Sequence, residues 1–239
     1  MVVIKRKKLK ESSMENLDLY ARIEPMIGFY DAYERLYDTY IDLIAELDVR
    51  RLLDVGCGNG KLLERLSQRY DATGIDISAQ MVEIARAKGL DARHCELHAV
   101  GEKFDLIVAV ADVLNYMPEA TLATFLEDVQ RHLHAGGYFM CDINTLHGFE
   151  DVAAGSMIVD EAERFLAIDA SFDEGILETE MTLFTQKGSC FEKEQATILQ
   201  YYHTIDEIAA LSPMRLIGMH DVALFSTQSD KTILLFQKL

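Results

Sequence analysis

Between residues 50 and 145, short apolar runs alternate with longer segments whose apolar positions recur every third or fourth residue. The runs predict strands at Arg51–Val55, Ala72–Asp76, Ala92–Cys95, Phe104–Val110 and Tyr138–Ile143. The segments predict helices at Lys61–Arg69, Ala79–Lys88 and Glu119–His134, the last stopped by Gly136-Gly137. The run FDLIVAV (Phe104–Val110) is apolar almost throughout, as expected of a strand buried on both faces. Strands that alternate with helices require right-handed crossovers, hence a parallel sheet covered by helices on both sides. Ahead of this region, residues 29–47 place Tyr30, Tyr33, Tyr37 and Tyr40 at helical spacing along an amphipathic helix.

After residue 145 the pattern changes. Glu163–Ser171, Ile176–Gln186 and Phe191–Tyr202 read as consecutive strands, with turns at Gly175 and at Lys187-Gly188-Ser189. In ILETEMTLF, Leu177, Thr179, Met181 and Leu183 share one face and Glu178, Glu180 and Thr182 the other, which describes a half-exposed antiparallel strand. A short helix, Asp206–Leu211, and two strands, Leu216–Leu224 and Thr232–Gln237, follow. The expected fold is α/β: a Rossmann-like, doubly wound, mostly parallel sheet with an antiparallel β insertion after the fifth strand. The expected units are an N-terminal tail or lid (1–28), a core (29–146), an insertion that caps the substrate or makes a dimer contact (147–203), and a closing helix and strands (204–239).

Composition narrows the partners. With 23 Lys and Arg against 40 Asp and Glu, the formal net charge is −17. Such a surface repels phosphate backbones, so nucleic acid is a poor partner. The one dense basic run, KRKKLK (Lys5–Lys10), reads as a solvated tail. No apolar stretch approaches the roughly 18 residues that span a bilayer. No signal-peptide core follows the charged start. The four cysteines have no CxxC spacing and the histidines no ligand spacing, so neither a metal nor a disulfide framework is expected, and the reading is a cytoplasmic protein.

Chemistry concentrates in LLDVGCGNG (Leu52–Gly60), at the C-terminal end of a strand where open α/β sheets bind ligands. Gly56, Gly58 and Gly60 allow close backbone approach, and the next helix offers free N–H groups and a positive dipole end. The spacing is GxGxG, not the GxGxxG of dinucleotide sites, and an acid, Asp54, precedes it. Asp76 ends the next strand 16 residues after Gly60, where a carboxylate can accept both hydroxyls of a ribose. Ile77 and Met81 follow, apolar enough to pack against a purine.

Together LLDVGCGNG, TGIDIS and FDLIVAVADVLNYM resemble the class I S-adenosylmethionine-dependent methyltransferases over residues 50–145. The resemblance implies that Asp54, Gly56, Cys57, Gly58 and Gly60 surround the methionine part of S-adenosylmethionine and that Asp76 binds its ribose. Glu96 and Leu97 would lie at the adenine, although CELHAVGEK departs from the family's GDA-like form there. Ala111–Tyr116 would border cofactor and substrate. The C-terminal half, with its DINT turn, long hairpins and SDKTILLFQK strand, is similar in layout to bacterial amino-sugar N,N-dimethyltransferases and to glycine N-methyltransferase-like proteins.

A sulfonium methyl is already activated, so such an enzyme chiefly aligns a nucleophile and excludes water. No catalytic triad is required, and none is visible. Candidate acceptor contacts are Asn115 and Tyr116, which serve equally as turn chemistry before Pro118, then Asn144 and Thr145 beyond Asp142. His203 and His147 are candidate proton acceptors or surface residues; Asp112 is a base or a backbone partner. The tyrosine stripe is either packing or a lid over the cofactor, with Tyr30 and Tyr33 best placed. The expected activity is methyl transfer to a small soluble acceptor through N or O, by a monomer or homodimer. A protein or RNA methyltransferase is an alternative, although ADVLNYMP lacks the [DNS]PP[YF] turn of enzymes that methylate exocyclic base nitrogens. Other classes are a non-catalytic S-adenosylmethionine-binding protein and an NAD(P)-dependent oxidoreductase.

Overall fold

A computed structural model describes residues 14–239; the basic run Lys5–Lys10 lies outside the described residues. In chain order the elements are α1 (Met14–Ile27), α2 (Tyr30–Ala45), β1 (Arg51–Val55), α3 (Lys61–Leu66), β2 (Asp71–Asp76), α4 (Ala79–Ala87), β3 (Ala92–His94), β4 (Phe104–Ala109), α5 (Glu119–His132) and β5 (Leu133–Asn144). A π turn at Gly148–Ala153 leads to β6 (Gly155–Asp160), β7 (Arg164–Asp173), β8 (Ile176–Lys187), β9 (Cys190–Tyr201), α6 (Ile205–Leu211), β10 (Arg215–Val222) and β11 (Lys231–Gln237).

Seven strands form one sheet in the order β10-β11-β5-β4-β1-β2-β3, parallel except where β11 pairs with β5 and β10. Neighbouring residues of a doubly buried strand feed opposite cores. Leu53 packs with Phe104, Leu126 and Phe139, whereas Leu52 packs with Leu36, Tyr40 and Ile44 of α2. Strands β6 to β9 form a separate antiparallel sheet. One face of it, carrying Leu166, Met181, Leu183, Ala196 and Ile198, is closed by Leu19, Ile23 and Met26 of α1.

Three features differ from the sequence reading. Residues 14–27, expected within a tail or lid, form a helix whose Leu19, Ile23 and Met26 share a buried face; Pro25 falls in its last turn, where it has no N–H to offer the carbonyl of Ala21. Gly136-Gly137 does not stop α5, which ends at His132. The chain turns extended at once because Leu133 is fully buried in the core, and the glycines absorb a register shift between Phe104↔Leu133 and Leu106↔Tyr138. Strand β6 was not anticipated: only Met157 and Val159 turn inward on this edge strand, too few for a clear alternation.

The turn after β5 is held tightly against the loop before β11. Thr145 N–H donates to Asp230 O (3.0 Å) and Gly148 N–H to Thr145 Oγ1 (3.0 Å). A Cβ at Gly148 would stand 2.3 Å from Asp230 O. Gly148→Ala is therefore expected to destabilise the fold by about 2 kcal/mol, a fall of roughly 4–8 °C in Tm. A thermal scan with unchanged Tm would contradict this close approach.

Candidate active site

The glycine loop leaves β1 at the C-terminal edge of the parallel strands. Gly56 has φ 73°, and a Cβ there would press on Val113 Cγ2 at 2.9 Å, so the residue must be bare on two counts. Gly58 has φ 53°, yet a Cβ there would meet no protein atom within 4 Å; its bare side faces open space. Gly56 N–H and Cys57 N–H both donate to Ile75 O, which binds the loop to β2. Gly60 is the left-handed N-cap of α3.

Two carboxylates flank the loop. Asp76 accepts Gly58 N–H on Oδ2 and Ser78 N–H on Oδ1, each at 2.8 Å. Burial raises its pKa while those N–H groups restrain the rise. Asp54 is 2% exposed, and its Oδ2 is buried with no hydrogen-bond partner. Burial, reinforced by the charge of Asp76, lifts its pKa to about 7. A buried acceptor left without a donor costs stability.

Helix α1 straps this edge. Asp18 accepts from Ser78 Oγ (2.7 Å) at the start of α4, and Glu24 accepts from Asn59 Nδ2 (3.1 Å) and stands 3.6 Å from Lys61 Nζ. On its far side Asn16 Nδ2 donates to Thr197 O (2.8 Å), and Arg22 makes a bidentate pair with Glu194. Tyr20, Glu24, Ile27, Phe29 and Tyr33 line the hollow beneath. Burial, then Glu24 and Asp112, push the Tyr20 phenol up to about 12 against an opposing hydrogen bond with Tyr33. Tyr33, Tyr37 and Tyr116 are also raised, chiefly by burial, so all four phenols stay protonated donors.

The other wall is a turn after β4 in which Ala111 (φ 64°) and Asp112 (φ 68°) are both left-handed. Ala111 N–H donates to Asp142 Oδ1 (2.8 Å) and Asp112 N–H to Asp142 Oδ2 (3.2 Å); Tyr40 donates to Asp142 Oδ1 (2.9 Å). Lys231 Nζ donates to Asn144 Oδ1 (2.9 Å), Asp142 Oδ2 (3.3 Å) and Asp112 Oδ1. Burial alone would lower the Lys231 pKa, but Asp112 and Asp142 outweigh it and raise it. Asp142 is raised by its own burial, against the pull of Lys231.

The structure brings Asp54, Gly56, Gly58, Gly60, Asp76 and Ala111 to one edge. Ile77 (39% exposed) and Met81 follow Asp76 on the same rim. The Cys57 side chain turns under the loop into a cluster with Leu63 and Val82, leaving only its backbone at the surface of the loop. Leu97 is buried, whereas Glu96 is exposed and pairs with His98 at 3.4 Å. Tyr30 opens α2, and its side chain is outside the described set. Tyr116 packs against α1 and the antiparallel sheet.

Two acceptor-side candidates are committed to holding the fold. Asn115 is fully buried; its Nδ2 donates to Tyr201 O (2.9 Å) and its Oδ1 accepts Asn144 N–H (3.0 Å). His203 Nε2 lies 2.8 Å from Met117 O. A carbonyl only accepts, so Nε2 carries the proton and only Nδ1 could take one. Thr145 Oγ1 donates to Ser229 O, and His147 bridges Asp151 and Ser226. Asn115→Ala would strand two backbone groups at the seam between the sheets and is expected to cost roughly 2–4 kcal/mol. Urea unfolding checks this; wild-type stability would show that Asn115 does not hold the seam.

Sequence reasoning missed Tyr20, Glu24 and Lys231. Tyr20 and Glu24 sit one turn apart, on a helix that was not anticipated. A lysine opening the apolar run TILLF was the available signal for Lys231. Among the described residues no group of three or more His, Cys, Asp or Glu could hold a metal ion.

The methyltransferase-domain family matches residues 52–137. A Bacillus subtilis (strain 168) relative provisionally named methyltransferase YqeM is 27% identical over 201 residues, 75% of this chain and 81% of the relative. An S-adenosylmethionine-dependent methyltransferase from Clostridium acetobutylicum superposes with a TM-score of 0.73 at 21% identity, covering 86% of this chain and 92% of that one. The sugar N-methyltransferase KedS8 of Streptoalloteichus superposes with a TM-score of 0.72 at 18% identity, covering 100% and 99%. Residues 52–137 match the methyltransferase-domain family, and the fold is that of S-adenosylmethionine-dependent methyltransferases of known structure.

Proposed function

We infer that this protein transfers the methyl group of S-adenosylmethionine to a small soluble acceptor through a nitrogen or oxygen nucleophile. One observation carries the reading: Asp54 Oδ2, a buried acceptor with no donor, beside a loop whose Gly58 faces open space. A cofactor with a cationic amino group fits that acceptor. When bound, S-adenosylmethionine supplies an already activated methyl group. Asp54 takes the amino group and Asp76 the ribose hydroxyls. Gly56, Gly58 and Gly60 present backbone to the methionine part, while Ile77, Met81 and Leu97 border the adenine, with Glu96 at its rim. Tyr20 and Tyr33 cover the site from α1 and α2 and keep water out. Tyr116 and Asp112 face the acceptor side, and Asp112 is the acceptor's hydrogen-bond partner there.

Helix α1, seated on the antiparallel sheet, straps the site's edge, which suits a small molecule better than a polymer, and the name of KedS8 favours a nitrogen acceptor on a sugar. The acidic chain disfavours RNA. The GxGxG spacing and the unpaired acid disfavour NAD(P). Among the described residues no helix is long and apolar enough to cross a membrane. The reading is of a cytoplasmic enzyme, monomeric or homodimeric. The test is transfer of radiolabelled methyl from S-adenosylmethionine to a panel of amino sugars, small amines, small alcohols, peptides and tRNA. Label in a small amine or alcohol is the expected result. Label in peptide or tRNA alone would overturn the acceptor class, and tight cofactor binding with no transfer to any acceptor would favour a non-catalytic binder.

A further inference from the structure

The Ala111–Asp112 turn is held in a shape its own residues disfavour. Two successive non-glycine residues at positive φ are strained and persist only where their surroundings over-determine them. Both N–H groups are claimed by the single carboxylate of Asp142, which is fully buried and also accepts from Tyr40. That carboxylate and the one on Asp112 lie side by side and would repel each other. Lys231 stands between them. It is 2% exposed, and its three ammonium protons meet three oxygens, on Asp112, Asp142 and Asn144. Register places it there: β11 begins at Lys231, which pairs with Asn144 at the C-terminal end of β5. Of the three charged groups Asp112 is the most open, at 14% side-chain exposure, and its charge acts on the Tyr20 and Tyr33 phenols. The residue after it, Val113, is the one packed on Gly56.

We propose that Lys231 is a positioning residue for methyl transfer: by pinning Asp112 and Asp142 together it holds the left-handed turn that shapes the pocket's acceptor wall and seats Val113 against the glycine loop. A buried ammonium is a costly way to fill space, and an apolar residue of similar length would fill it as well. The specific gain is the fixed position of Asp112 and of the turn. Without Lys231 the two carboxylates separate, the turn relaxes from positive φ, and Val113 moves off Gly56.

This inference rests on the cofactor reading above, and the full chain tests it with S-adenosylhomocysteine as the probe. Calorimetric affinity and amide exchange at residues 111–113 are measured for wild type, Lys231→Met, Lys231→Arg and Asp112→Asn. A core variant, Leu126→Ala, serves as the control for lost stability. The expected result is affinity lower by roughly tenfold in Lys231→Met, with faster exchange confined to the turn. Lys231→Arg restores most of both, and Leu126→Ala binds as wild type. If Lys231→Met does not fold, Asp112→Asn, which keeps the Lys231–Asp142 pair, is expected to show the same local loosening and weaker binding. Folded variants that bind as wild type, with an unchanged turn, would overturn the inference. So would a loss of binding in Leu126→Ala as large as in the Lys231 variant. Wild-type protein that does not bind the probe would overturn the cofactor reading, and the inference with it.

Discussion

Asp76→Ala is expected to weaken S-adenosylmethionine binding by at least about a hundredfold while the protein stays folded. Two hydrogen bonds from ribose hydroxyls to a carboxylate are worth about 1.5–3 kcal/mol each, so their joint loss reaches that range. The same substitution also frees Gly58 N–H and Ser78 N–H, which Asp76 now holds at 2.8 Å. The glycine loop and the start of α4 therefore loosen together. Asp76→Asn separates the two effects: it retains one oxygen and the side-chain shape, and should recover much of the stability but only part of the affinity. Calorimetry and thermal scans on both variants check this. Near-wild-type affinity in Asp76→Ala would remove the ribose role.

Cofactor binding should also be linked to a proton at Asp54. The group has an ordinary value of 3.8 and is lifted to about 7 by burial and then by Asp76. In the folded, cofactor-free protein it holds a proton through a window in which the unfolded chain has already released it. Its effect on stability is absent below pH 4, grows more unfavourable as pH rises from 4 to 7, and is constant above. The loss is on the order of 4 kcal/mol over that window. An ammonium placed on Oδ2 favours the ionised form and reverses this. Binding at pH 6 should release close to one proton and at pH 8.5 almost none from this group, and affinity should rise from pH 5 to about 7. Calorimetry in buffers of different ionisation enthalpy measures the proton count. Asp54→Asn should flatten the stability profile, make the cofactor-free protein more stable at pH 8, and bind the cofactor poorly. A wild-type affinity independent of pH between 5 and 7 would contradict an unpaired, protonated Asp54.

Much of this was legible because it is local. Strand runs such as FDLIVAV, the GCGNG loop and Asp76 at the end of its strand declare themselves through adjacent residues, and the parallel pairing of the core strands follows from alternation and handedness. What escaped depended on partners distant in sequence. Helix α1 is stabilised by sheet residues Leu166 to Ile198, so its own segment, interrupted by Pro25, carried a weak signal. The double glycine at 136 and 137 reads as a helix stop in one dimension and proves to be a strand irregularity, because only the register against β4 distinguishes the two. Asn115 and His203 lie where acceptor contacts were expected, but Asn115 binds the carbonyl of Tyr201, 86 residues away, and His203 that of Met117, at the same separation. Lys231 joins Asp112 across 119 residues, and no motif announces a pair of that kind.

The most direct test of the central claim is calorimetric titration of the full chain, at pH 8, with S-adenosylmethionine, S-adenosylhomocysteine and NAD, alongside Asp54→Asn. Saturable one-to-one binding of the first two, lost in the variant, with no heat from NAD, is the predicted result. Binding of NAD, or binding of neither sulfur nucleoside, would contradict the account and leave the orphaned Asp54 oxygen to another cationic ligand.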